Sequence, residues 1–195
     1  MSDIAICHAA SLAGIDAVAV DVEVDIGRGL PGLKLVGLPA ASVKESEERV
    51  KAAVRQSGFA WPTRRVTVNL APADLKKEGS AFDLPIALAI LAASEAIPRA
   101  ALADWMALGE LSLDGRLRPV RGALSYAVLA RKLGIKRLLM AAENAAEAAL
   151  CDDMQVFAAS DLTAAASLLT SDRAVPVTPA ETVLYRPDLD FADGT

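Results

Sequence analysis

Apolar and polar positions alternate one for one through residues 15–27, IDAVAVDVEVDIG. Val18, Val20, Val22 and Val24 fall on one side of an extended chain and Asp21, Glu23 and Asp25 on the other. The pattern predicts a strand with one buried face and one solvated, acidic face. A shorter strand is expected before it, over 4–10. Gly27, Gly29, Pro31 and Gly32 interrupt the chain, and residues 33–38 read as a strand returning beside 15–27 in a long hairpin. The period then changes. Over 40–57, Val43, Val50, Ala53 and Val54 share one side of a helix, with Glu45–Arg49 and Glu47–Lys51 spaced i,i+4 on its wet side. Gly58 follows as its C-terminal stop. Residues 65–70, RVTVNL, alternate again as a strand. The stretch 72–80 is a Lys-rich loop. It opens into an apolar helix over 82–95 that must be buried on most sides, with Pro85 in the first turn, where a missing N–H costs little.

The second half predicts a strand over 105–112, a turn at Asp114-Gly115 and a returning strand over 116–120. Helices are expected over 121–133, 143–150 and 161–169, alternating with strands over 136–140 and 155–158. Such alternation belongs to the α/β class. From Ser171 the character shifts to Pro and acidic residues. The reading is therefore a domain over 1–170 and a linker over 171–195.

Composition narrows the function classes. The 195 residues carry a formal net charge of −5 and 4% aromatics, which speaks against a strongly basic nucleic-acid module and against a base-stacking platform. Cys7 and Cys151 are far apart in sequence, as suits a reducing compartment. The N-terminus lacks the pattern of a secretory signal, and no long uninterrupted apolar run suggests a membrane span, so a cytoplasmic protein is expected.

Candidate chemistry is sparse. In Lys76-Lys77-Glu78-Gly79-Ser80, just before a helix, Ser80 reads either as a nucleophile beside lysines and helix N–H donors or as an N-cap with Asp83 three residues on. The glycines of GLPGLKLVGLP suit turns and lack the Gly-Lys-hydroxyl ending of a phosphate loop. His8 follows Cys7 on a strand, so the two side chains point to opposite faces, and one His with one Cys cannot build a zinc site. No metal ligand set is expected. Basic residues cluster locally at Arg64 and Arg65, Lys76 and Lys77, and Arg116, Arg118 and Arg121. All are candidates for phosphate contact.

Four ordered motifs carry a resemblance: GLPGLKLVGLP, VKESEERVKAAVRQSGF, RRVTVNLAPADLKKEGSAFDLPIALAILAAS and LGELSLDGRLRPVRGAL. Over about residues 4–170 the chain resembles the N-terminal domain of the ComM/YifB proteins, magnesium-chelatase-like AAA+ ATPases. The resemblance implies an α/β (α+β) fold with βαβ units, similar to the Lon protease domain and the C-terminal domain of RadA. It also implies a left-handed crossover, against the general rule. The strand–loop–helix at 66–91 resembles the one that holds the Lon nucleophile. Matching Gly79 to the Lon glycine places Ala81 at the nucleophile, and matching Pro119-Val-Arg-Gly to the later Lon turn places Tyr126 at the base lysine. Neither can serve, so the domain is expected to lack catalysis, with Asp83 fitting the Ala-Ala-Asp-Leu pattern of the RadA-like branch.

The family further implies a hexameric motor, using ATP and Mg, that migrates DNA branches in recombination and natural transformation. This chain would hold no cofactor itself. Its partners would be the motor domain of the same polypeptide, further copies of the chain, and DNA through the basic residues named above, with no membrane. Two other readings stand beside this one: a residual serine peptidase using Ser80, and a protein-interaction adaptor without nucleic-acid binding.

Overall fold

The computed structural model describes residues 3–179. Strands β1 (Ala5–Ala13) and β2 (Asp16–Gly27) form an antiparallel hairpin about a two-residue turn, where Gly14 takes a left-handed φ of 67°. Strand β3 spans Gly32–Val36 and β4 Arg65–Ala71; β5 (Trp105–Ala107), β8 (Arg137–Ala141) and β9 (Gln155–Ala159) follow. These seven make one sheet in the order β3-β4-β2-β1-β5-β8-β9, in which β2 runs against all the others. Strands β6 (Glu110–Leu111) and β7 (Leu117–Arg118) form a separate small hairpin. The helices are α1 (Ala41–Lys44), α2 (Ser46–Gln56), α3 (Asp83–Ala93), α4 (Ala123–Lys132), α5 (Ala142–Ala148) and α6 (Leu162–Thr170), and Arg99–Leu102 is a 3-10 turn. The fold is α/β with a mostly parallel sheet, as the alternating pattern requires.

Val20, Val22 and Val24 of β2 behave as their spacing demands, buried in register with Ala9, Cys7 and Ala5 of β1, whereas Val18, expected on the same buried face, is exposed near the β1–β2 turn. Helix α3 lies against β1 and β2, and every one of its residues is buried. Helix α4 meets the sheet beside the β1–β2 turn, where Ser125 Oγ donates to Ile15 O at 2.6 Å.

Three expectations need correction. The hairpin partner of β2 is β1, not the strand over 33–38. Both edges of β2 are taken, by β1 and by β4, and β3 pairs parallel to β4 on its far side. The helix over 40–57 breaks at Glu45 into α1 and α2. The strand over 105–112 splits into β5 and β6, because the start of α3 draws Gly109 out of the sheet. Gly109 N–H donates to Ala81 O, and Leu84 N–H to Gly109 O, each at 3.0 Å.

After Thr170 the chain turns at 172–173, residues 174–179 form no helix or strand, and Val177 N–H donates to Val156 O of β9 at 2.6 Å. Ala174 and Val177 pack on the core. The rest of the expected linker, 180–195, lies outside the described residues.

Candidate functional site

The loop over 72–80 is stitched to the segment that follows β3. Lys77 N–H donates to Leu38 O at 3.3 Å, Ala40 N–H to Lys77 O at 2.9 Å, and Gly79 N–H to Ser42 Oγ at 3.0 Å. Lys77 turns inward and is fully buried. Its Nζ donates to Gly37 O at 2.6 Å and to Pro72 O. Burial lowers its amine below the usual lysine range. Gly37 itself lies hard against β4: at φ 96°, a Cβ there would sit 2.2 Å from Leu70 O.

This geometry corrects two expectations about Lys77. It cannot reach DNA, because a fully buried amine held by two carbonyls presents no donor to solvent. It is not the base for Ser80, because its amine is committed elsewhere. Ser80 makes no side-chain hydrogen bond among the described residues, and its expected N-cap does not form: α3 follows Phe82, and no side chain caps it.

Asp83 is where the sequence reading falls furthest short. Its side chain is buried at the first turn of α3. Arg49 grips it from α2 with Nε at 2.7 Å from Oδ2 and Nη2 at 3.1 Å from Oδ1. Ser46 Oγ donates to Oδ1 at 2.5 Å and Leu111 N–H to Oδ2 at 3.0 Å. Every acceptor direction of the carboxylate is thus used, as a buried charge requires. Burial pushes the Asp83 carboxyl up, while Arg49, Ser46 and the Leu111 N–H pull it back. The cluster ties α2, α3 and β6 at the point where the loop enters α3. Arg49 is therefore not simply a wet-face partner of Glu45, whose carboxylate lies 3.7 Å from Nη1. One signal was present: a lone Asp in DLPIALAILAA must find a cation or a set of donors when that helix is buried. Nothing local in the sequence named Arg49.

The residues matched to the Lon dyad by resemblance are Ala81 and Tyr126. Ala81 is a buried methyl, and Tyr126 is a buried phenol of α4 whose pKa burial pushes up to about 12. At neutral pH such a phenol stays protonated and takes no proton. Cys7 is likewise pushed up to about 12 by burial, and His8 on the opposite face has Nδ1 2.7 Å from Asp21 Oδ1. Among the described residues no group of three or more His, Cys, Asp or Glu is placed to hold a metal ion.

The exposed candidate cations fall into two groups. Lys76 follows the carboxyl end of β4, and Arg116, Arg118 and Arg121 follow β5, so these sit at the carboxyl ends of the parallel strands. Lys76 Nζ lies 2.9 Å from Glu78, Arg116 Nε lies 3.0 Å from Asp114, and Arg118 Nε donates to Ser112 Oγ at 2.7 Å. The turn between β6 and β7 closes with Gly115 N–H on Ser112 O at 2.9 Å. Arg64 and Arg65 stand at the amino end of β4. With β4 seven residues long, roughly 20 Å separates its amino end at Arg65 from its carboxyl end, beyond which Lys76 lies. The seven predicted contacts do not form one patch.

Comparison with known proteins fits this architecture. Residues 22–144 match the family described as subunit ChlI of magnesium chelatase. The uncharacterised protein YifB of Salmonella typhimurium strain LT2 is 44% identical over 172 residues, covering 88% of this chain and 34% of the relative. YifB of Escherichia coli K12 is 42% identical over 172 residues, with the same coverage. The competence protein ComM of Haemophilus influenzae Rd is 41% identical over 174 residues, covering 89% of this chain and 34% of the relative. The chain spans about a third of the length of these relatives. Among the described residues no helix is long and apolar enough to cross a membrane. The chain belongs to the ChlI family of magnesium-chelatase subunits and corresponds to the N-terminal region of its ComM/YifB members.

Proposed function

We propose that this domain is the non-catalytic N-terminal part of a ComM-like AAA+ motor that moves DNA branches in the cytoplasm during recombination and natural transformation. It assists ring assembly, DNA contact or both. ATP and Mg would be bound by the motor of the same polypeptide, and the ring would be a hexamer. One observation supports the reading above the rest. The residues matched to a peptidase dyad are a buried methyl and a buried phenol, on a chain 41% identical to a competence protein. A nucleophile needs a positioned base. Here the lysine nearest Ser80 in sequence donates to two carbonyls instead.

The test uses the full-length protein. It should drive ATP-dependent migration of a branched DNA substrate, and Ser80→Ala should leave that rate unchanged. An active-site serine probe should fail to label the wild type. Labelling that Ser80→Ala abolishes would make the domain a hydrolase. Absence of any branch movement or DNA binding by the full-length protein would favour the adaptor role.

A further inference from the structure

The charge of this chain is unevenly placed. Residues 28–65 hold eight Lys and Arg against three Glu, a net +5, within a sequence whose formal net charge is −5. One of the eight, Arg49, is used by Asp83. Four others gather at one corner from three elements: Lys34 from β3, Lys51 and Arg55 from α2, and Arg65 from β4. A groove of about 340 Å³ runs between residues 30–34 and Arg65. A second, of about 260 Å³, shares Pro31, Gly32 and Leu33 with the first and continues to Lys51, Arg55 and Trp61. None of the four cations has a side-chain hydrogen bond or ion pair among the described residues. Glu47 is the one carboxylate lining either groove. At the carboxyl-end loops, by contrast, Lys76 and Arg116 each have a carboxylate within 3.0 Å.

β3 pairs only with β4 among the described residues. A Pro and a Lys on such an edge are an ordinary guard against strand addition, and that accounts for Pro31 and Lys34. It does not account for Lys51, Arg55 and Arg65, which reach the same two grooves from other elements and remain unpaired. Four unpaired cations along connected grooves, against the single carboxylate of Glu47, form a surface for a chain of regularly spaced anions.

We propose that this corner is a track for the phosphodiester backbone of nucleic acid, with Lys34, Lys51, Arg55 and Arg65 as the phosphate contacts. It rests on the reading that the domain touches DNA; of the earlier candidates it keeps Arg65 at the amino end of β4, adds Lys34, Lys51 and Arg55, and drops the carboxyl-end loops. Contacts of this kind carry no sequence preference. Trp61 lines the second groove and the other tryptophan, Trp105, is buried, so intrinsic fluorescence reports occupancy of the corner.

The experiment measures binding of a fluorescein-labelled oligonucleotide, single-stranded or duplex, to this chain across a salt series. Two variants are compared: Lys34→Glu/Lys51→Glu/Arg55→Glu/Arg65→Glu at the corner, and Lys76→Glu/Arg116→Glu/Arg118→Glu at the loops. The corner variant should lose about tenfold or more in affinity, and the slope of log K against log salt should flatten by about 3 for single strands. Trp61 fluorescence should change on binding in the wild type and not in Trp61→Phe. The loop variant should retain most of the wild-type binding. Both variants should keep the wild-type melting temperature, since they alter exposed or half-exposed positions; retained affinity in a folded corner variant overturns the track. Loss in the loop variant alone also overturns it, while leaving DNA contact by the domain intact. No binding by the wild type at low salt overturns DNA contact itself. Loss of self-association in place of DNA binding would assign the corner to a protein partner.

Discussion

Lys77 and Lys34 are the same residue type in opposite surroundings. Lys77 is fully enclosed, with two carbonyl oxygens on its amine; Lys34 is exposed on an edge strand with no partner among the described residues. The same division separates Arg49, clamped on Asp83, from Arg55 two turns along α2, which lines an open groove. The difference teaches which charges build the fold and which are available to a ligand. A buried charge with a full set of partners acts structurally. An exposed charge without one is worth little to stability and is free for binding.

Predictions that break this comparison follow in order of size. Asp83→Ala leaves the half-buried Arg49 with only the exposed Glu45 carboxylate and strands the Ser46 hydroxyl and the Leu111 N–H, and should cost about 3–5 kcal/mol in denaturant unfolding. Arg49→Lys should lose a smaller part of that, because an ammonium keeps the charge but cannot supply the paired donors. If Asp83→Ala unfolds at the wild-type midpoint, the cluster does not hold α2 to α3. Lys77→Met leaves the Gly37 and Pro72 carbonyls without their donor and should cost about 1–3 kcal/mol. Lys76→Met, one residue away and exposed, should stay within about 0.5 kcal/mol. Equal losses at 76 and 77 would erase the distinction between enclosed and open lysines.

The smallest effect is a pH dependence. The hydrogen bond that His8 Nδ1–H donates to Asp21 raises His8 above its ordinary value of 6.5, against a smaller opposing effect of burial. A raised folded-state pKa gives stability that is present below 6.5 and lost as pH rises through the folded value. The melting temperature of the wild type should therefore approach that of Asp21→Asn as pH rises through that window. The difference should amount to less than about 1 kcal/mol, because the pair is partly exposed. A gap between the two proteins that widens toward alkaline pH would contradict the assignment.

Much of the architecture was legible. The valines of β2, the apolar run of α3, the Asp114-Gly115 turn and the alternation from β8 to α6 each follow from period and turn chemistry. These signals are local. Sheet order is not legible: adjacency in the chain points to β3 as the partner of β2, yet β4 lies between them. The candidate site was read less well. Exposed cations in loops could be picked out by type, but Lys77 and Lys76 are identical to any local rule. The surplus over residues 28–65 was countable from the sequence, whereas its assembly into two joined grooves was not.

By itself the sequence determined the α/β class, the membership in the ComM/YifB group and the lack of a nucleophile at position 81, because each depends on residue identity and spacing along one segment. Only the tertiary structure decided that Arg49 closes on Asp83, that Lys77 turns inward while Lys76 stays out, and that four unpaired cations meet beside β3. The reason is physical. A charge's fate depends on how many partners and how much water surround it, and those neighbours arrive from elements tens of residues away.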